Sequence, residues 1–214
     1  MVRKVLLVCG IVSSLLYVAT TILGARRWRG YSSTSQTVSE LSAIDAPSRP
    51  LVVPLFLTYG VLTILFGMGV RGSADRKRTL RVAGNLLIGY GVACLTGPFT
   101  PMHRREVLAA GQGTLTDRLH VVGTILDVLF ILLSIVFGAL ASGTRFRLYS
   151  IGTIVVLVGF GGLAGQSAPR ISANRPTPWV GLTERISIFG SLLWFAVLAV
   201  ALIRARTRHL FTTK

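Results

Sequence analysis

The stretch TDRLHVVGTILDV, residues 116–128, carries the side chains best suited to chemistry. Asp117, His120, Thr124 and Asp127 are separated by three, four and three residues, which places them along one face of a helix. At a rise of about 1.5 Å per residue, Asp127 lies about 15 Å along the axis from Asp117. The surrounding residues are apolar. An ionised carboxylate at such depth in lipid costs several kcal/mol unless it faces a cavity or a partner. Two readings stay open for Asp127: a functional group in a cavity, or a protonated acid bonded to Ser, Thr or backbone on a neighbouring helix.

Other polar residues can converge on the same end of the chain's helices: Ser39, Glu40, His103, Glu184 and Arg185. Glu184 suits a helix N-terminus, and Arg185 can pair with Asp117 or Glu40. Two chemistries follow. The first is a polar pocket that binds a ligand without turning it over. The second is metal-assisted hydrolysis, with His103, His120 and Asp117 as ligands and Glu40 or Glu184 as general base. The spacings match no compact zinc motif of the HExxH type, so no resident metal is assigned and binding is favoured over catalysis.

The chain has no phosphate loop and no GxSxG nucleophile elbow, and it lacks the histidines for a bis-His haem inside a membrane. Cys9 and Cys94 fall inside apolar runs and build no metal or redox motif. His209 stands in a basic tail with Arg206, Arg208 and Lys214, where a solvated or headgroup-facing role is the default. No cofactor is legible.

The elements that must position these residues are membrane helices. Of 214 residues, 51% are hydrophobic and 14% charged, and the mean hydropathy is +0.66. A soluble domain carries roughly a quarter charged residues. Crossing a bilayer takes about 20 apolar residues, and runs of that kind cover approximately 5–24, 51–70, 80–97, 119–141, 148–168 and 186–203. No run alternates as a barrel strand would. The first exceeds the apolar core of a secretory signal and is followed by Arg26, Arg27 and Arg29 rather than small residues, so it reads as a retained anchor. The expectation is an all-α polytopic membrane protein, a single domain in which six transmembrane helices form a bundle.

Six crossings put both termini on one side. That side holds the larger share of the 23 Lys and Arg, including Arg3, Lys4, the cluster Arg76–Arg78 and the C-terminal tail. The positive-inside rule therefore places both termini in the cytoplasm of a cell-membrane protein, with the longer loops outward. The net charge of +16 is scattered over span ends, with no soluble domain to present a nucleic-acid groove. Its partners are membrane lipids, above all anionic headgroups at the cytoplasmic surface. A bundle of this kind is compatible with an oligomer.

In the loop after the first span, Thr37 and Glu40 fit a capping box. Val38, Leu41 and Ile44 share a face, and Pro47 ends the segment, which predicts a short interfacial helix. The loops PFTPMHRREVLAAGQGT and APRISANRPTPW read as turns or irregular coil, with Trp179 as an interfacial anchor. Gly159, Gly161, Gly162 and Gly165 predict a close helix contact for the fifth span.

The motifs TVSELSA after the first span, GPFTPMH ending the third, TDRLHVVG opening the fourth and GLTER opening the sixth carry a resemblance across nearly the whole chain. The sequence resembles the bacterial and archaeal membrane family catalogued as domain of unknown function 998. The resemblance implies a six-helix bundle and puts the family-like polar residues at Ser39, Glu40, Asp117, His120, Glu184 and Arg185. It implies no established reaction. Family members often carry Phe-Pro-x-Asp after the third span, where this chain has Phe99, Thr100, Pro101 and Met102. A fainter likeness, at Asp117 and His120, is to membrane hydrolases that include alkaline ceramidases. The leading expectation is a lipid or small amphiphile bound in an outward-facing polar pocket, as part of a transport or sensory component. A metal-assisted lipid hydrolase and a structural membrane subunit are the alternatives.

Overall fold

The computed structural model describes residues 1–211, with side chains described through Ala205. The side chains of Arg206, Arg208 and His209, and all of Lys214, lie outside the described residues.

Six long helices carry the fold: α1 (Val2–Arg27), α2 (Arg49–Arg71), α3 (Arg78–Thr96), α5 (Leu115–Leu140), α6 (Thr144–Gly165) and α8 (Val180–Phe211). The loops contain two five-residue helices, α4 (Arg105–Ala109) and α7 (Ala168–Ser172), and 3-10 turns at Ser39–Ser42 and Gly97–Phe99. No strand occurs among the described residues. All six long helices have the length and apolarity to cross a membrane. Several reach past the apolar runs at ends where arginines such as Arg27, Arg71 and Arg78 continue the helix, as long stems that can carry their charge to an interface allow. α5 begins at Leu115 rather than Leu119 because Thr114 and Asp117 form a capping box ahead of it.

The helices close a ring in which α1 packs on α2, α2 on α3, α3 on α5, α5 on α6, α6 on α8 and α8 back on α1. The centre is filled by Tyr59, Phe66, Leu87, Trp194 and Phe195, all fully buried. Trp194 satisfies its indole N–H by donating to Ser150 Oγ at 2.9 Å. In lipid, where apolar burial between helices gains little, close backbone approach and such bonds hold helices together.

The tightest backbone approach between two long helices is that of α2 and α3. A methyl group added at Gly84 would stand 2.6 Å from the Arg71 backbone nitrogen, and one at Gly67 would stand 2.8 Å from that of Ile88. The contact expected along the fifth span is made at one of the four glycines expected to form it. Added methyl groups at Gly159, Gly162 and Gly165 would meet nothing within 4 Å, and only Gly161 nears a neighbour, at Ser187. α6 buries few residues, among them Ser150, Thr153 and Leu157, so most of its small side chains face outward from the ring.

The short helix expected after the first span is present as one 3-10 turn, Ser39–Ser42, drawn into the bundle instead of resting on its surface. Leu41 is 0% exposed and Glu40 2%. The loops read as irregular coil each contain a helical turn, α4 and α7. Trp179 is exposed, as an interfacial anchor requires.

Candidate functional site

The loop end of the bundle, opposite the termini, is sewn together by buried charge. Glu40 Oε2 accepts from the Thr37 N–H at 2.7 Å and from the Thr37 hydroxyl at 3.0 Å, and the Glu40 N–H returns to Thr37 Oγ1 at 3.3 Å. This is the capping box expected from the sequence. Arg105 grips the same carboxylate with both edges of its fork, Nε to Oε1 at 2.6 Å and Nη2 to Oε2 at 2.7 Å. Its remaining donors reach Thr177 Oγ1 at 2.7 Å and the Ser35 carbonyl at 3.0 Å. One ion pair thus joins the three loops at this end.

Arg185 pairs with neither Asp117 nor Glu40. It donates to the carbonyls of Ser33 (2.7 Å), Gln36 (3.1 Å) and Gly181 (3.0 Å) and to the Tyr31 hydroxyl (2.7 Å). The Tyr31 hydroxyl in turn donates a hydrogen bond to the Thr37 carbonyl at 2.7 Å. Burial, opposed by the nearby Arg185, pushes this phenol up to about 12, so it stays a donor at neutral pH. Glycine at 181 is required for the contact. A side chain there would overlap the Gln36 carbonyl and stand 2.5 Å from that of Ser33, separating Arg185 from the loop it holds. Glu184 accepts from the Val38 N–H at 2.6 Å. The TVSELSA and GLTER motifs therefore meet in space, chiefly through backbone groups.

His103 and Asp117 form a second join. Asp117 accepts from the His103 N–H at 2.7 Å, and its other oxygen lies 2.9 Å from His103 Nδ1. The Thr114 N–H donates to that second oxygen at 2.7 Å. Asp117 is consumed in starting α5 and in holding the loop before it. His120 sits apart from this pair, its Nδ1 donating to the Thr100 carbonyl at 3.1 Å and leaving Nε2 as the ring's remaining polar atom. The grouping of His103, His120 and a carboxylate that metal-assisted hydrolysis requires is not formed. Among the described residues no three His, Cys, Asp or Glu side chains are arranged to hold a metal.

Beneath the sewn loops lies a cavity of about 160 Å³. Ser39 and Ser42 line it from the 3-10 turn, and His120, Thr124 and Asp127 line it from α5. Tyr17, Phe56, Tyr59, Tyr90 and Cys94 supply the rest of its deep wall. Its exposed lining residues, Thr96, Gly97 and Thr124, belong to α3, its C-terminal 3-10 turn and α5, so the cavity opens sideways at that seam. Thr124 spends its hydroxyl proton on the His120 carbonyl at 2.9 Å. Asp127 differs from every other acid described above: its Oδ1 is buried and has no hydrogen-bond partner among the described residues.

The family described as protein of unknown function (DUF998) matches residues 11–201. The chain belongs to this family. No curated protein and no solved structure matches it. The family match spans all the elements that build the cavity and the loop joins around it.

Of the nine candidate residues, Ser39, His120, Thr124 and Asp127 share the cavity, while Glu40, His103, Asp117, Glu184 and Arg185 bond to loops around it. Sequence reasoning missed Arg105, the partner of Glu40, and the tyrosines of the cavity wall. The signal for the latter was available. Tyr17, Tyr59 and Tyr90 occur well inside apolar runs, although tyrosine in membrane helices favours the interfaces.

Proposed function

We propose that this multi-pass membrane protein binds a lipid or small amphiphile in the cavity between α3 and α5, as part of a transport or sensory component. Both termini lie in the cytoplasm of the cell membrane, and the cavity opens toward the outer leaflet. The observation that carries the reading is Asp127, an acid whose buried Oδ1 has no partner among the described residues, in the lining of a cavity with polar and aromatic walls. A buried polar atom without a partner costs stability, and a carboxyl group in the lining of a cavity open at its side is placed to bond a ligand there. A cavity of about 160 Å³ far exceeds the roughly 15 Å³ that one water needs.

A purely structural role accounts for Glu40, Arg185 and Asp117, whose bonds are all internal, but gives no account of Asp127. The hydrolase reading has less support, because His103 and His120 are engaged separately. The test is the thermal unfolding of purified protein with single-chain phospholipids and fatty acids, compared with a Thr124→Trp variant that fills the mouth. At about 100 times the Kd a ligand stabilises by about 2.7 kcal/mol. The wild type should shift and Thr124→Trp should not. Equal response of the two proteins to every amphiphile would refute the proposal.

A further inference from the structure

We infer that the cavity selects a cationic amphiphile, one whose headgroup is an amine or a quaternary ammonium; this rests on the cavity being a binding site, as proposed above. The first argument is charge. The chain has 23 Lys and Arg against 7 Asp and Glu, yet among the described residues no Lys or Arg lines the cavity and one carboxylate, Asp127, does. In so basic a protein a site for an anionic headgroup would be easy to build from arginine. Here the arginines nearest the loop joins are already engaged, Arg105 by Glu40 and Arg185 by carbonyls. An anionic ligand would meet Asp127 with no cation to offset it.

The second argument is the wall. Tyr17 packs at a tilt on Phe56 with ring centroids 5.1 Å apart and edge-on to Tyr59 at 4.9 Å, and Tyr59 meets Tyr90 edge-on at 6.2 Å. All four rings line the cavity that Asp127 lines. Aromatic faces attract cations through their quadrupoles, most strongly where water is excluded, and several rings around one point are how proteins hold quaternary ammonium groups. Tyr59 donates its hydroxyl proton to Tyr90 at 3.1 Å, which ties the rings to one another. A carboxylate beside linked tyrosines suits a positive headgroup, and the opening at the α3–α5 seam leaves room for an alkyl chain to remain in lipid.

Three probes with the same chain separate the classes: dodecyltrimethylammonium, dodecanol and dodecanoate, each titrated into the full-length protein in dodecyl maltoside and followed by calorimetry. The ammonium should bind about tenfold or more tighter than the other two, the effect expected of one carboxylate with aromatic faces. Asp127→Asn should erase that preference. Thr124→Lys, which sets an ammonium at the exposed mouth, should erase it as well and favour dodecanoate, and it carries the test if Asp127→Asn does not fold. Equal binding of all three probes to the wild type, or a preference that survives both variants, overturns the cationic class. If those probes still bind and Thr124→Trp weakens them all, the cavity reading stands without it. Binding of no probe, or binding indifferent to Thr124→Trp, overturns both.

Discussion

The ion pair between Glu40 and Arg105 offers the most quantitative test of how the loop end is held. Their side chains are 2% and 11% exposed, and two charge-assisted bonds join them. Removing one partner of a pair this buried strands the other charge and costs about 3–5 kcal/mol, whereas removing both spares that penalty. Arg105→Met should therefore destabilise by about that amount, and Glu40→Met similarly. The double variant should cost no more than either single variant, a coupling of at least about 3 kcal/mol, at or above the upper end for contacting residues. Unfolding in mixed micelles of SDS and dodecyl maltoside measures all four proteins. Tryptophan fluorescence reports both ends of the process, since Trp28 stacks under Arg104 near the pair while Trp194 is buried in the core. Additive costs, or an Arg105→Met penalty below about 1 kcal/mol as for exposed pairs, would refute the account of a desolvated join.

Two further outcomes follow from the helix packing and the topology. Gly84→Val forces side-chain atoms against the Arg71 backbone and should lower stability by about 1–3 kcal/mol as overpacking does, while Gly162→Val, which meets nothing within 4 Å, should be near neutral; thermal unfolding of both variants decides whether the α2–α3 crossing is the tight one. With Cys9 and Cys94 replaced by Ala, a cysteine at the exposed position Gln112 should be labelled by an impermeant maleimide on intact cells. One at Arg76, also exposed, should be labelled only after permeabilisation, and the opposite pattern would invert the proposed orientation.

The transmembrane elements were legible because bilayer thickness fixes their length, so an apolar run of the right size has few other uses. Their ends were less so. α5 begins at Leu115 because of a local cap, and the arginines that continue other helices register as charge rather than as helix. The polar stripe of α5 was legible as a face, and His120, Thr124 and Asp127 do reach one cavity. Asp117 departs from it because it stands in the first turn, where the free N–H of Thr114 and the approach of His103 claim both its oxygens. The partner of Glu40 was not legible. Arg105 is 65 positions away, and no periodicity spans three loops folding over one another. The glycines of α6 were legible only in part for a related reason: their clustering marks small side chains, but the ring decides that Gly161 alone lies against a neighbour.

What separates the candidate site from its surroundings is therefore the set of partners each polar residue has, more than its type or its depth. Glu40, Asp117 and Glu184 each have a backbone N–H aimed at a carboxylate oxygen, so the fold itself uses their acceptor capacity. Asp127 has an oxygen that the fold does not use. The distinction bears on how variants must be measured. Loss of Glu40 or Arg185 loosens the roof of the cavity, and loss of Asp127 removes a group from its floor, so a scan scored only by loss of biological activity would rank all three together. Stability and ligand affinity measured on the same proteins divide them. Glu40 and Arg185 variants should lose unfolding free energy first, whereas Asp127→Asn should keep it or gain it, because an unpartnered neutral amide is no costlier to bury than the carboxyl group it replaces.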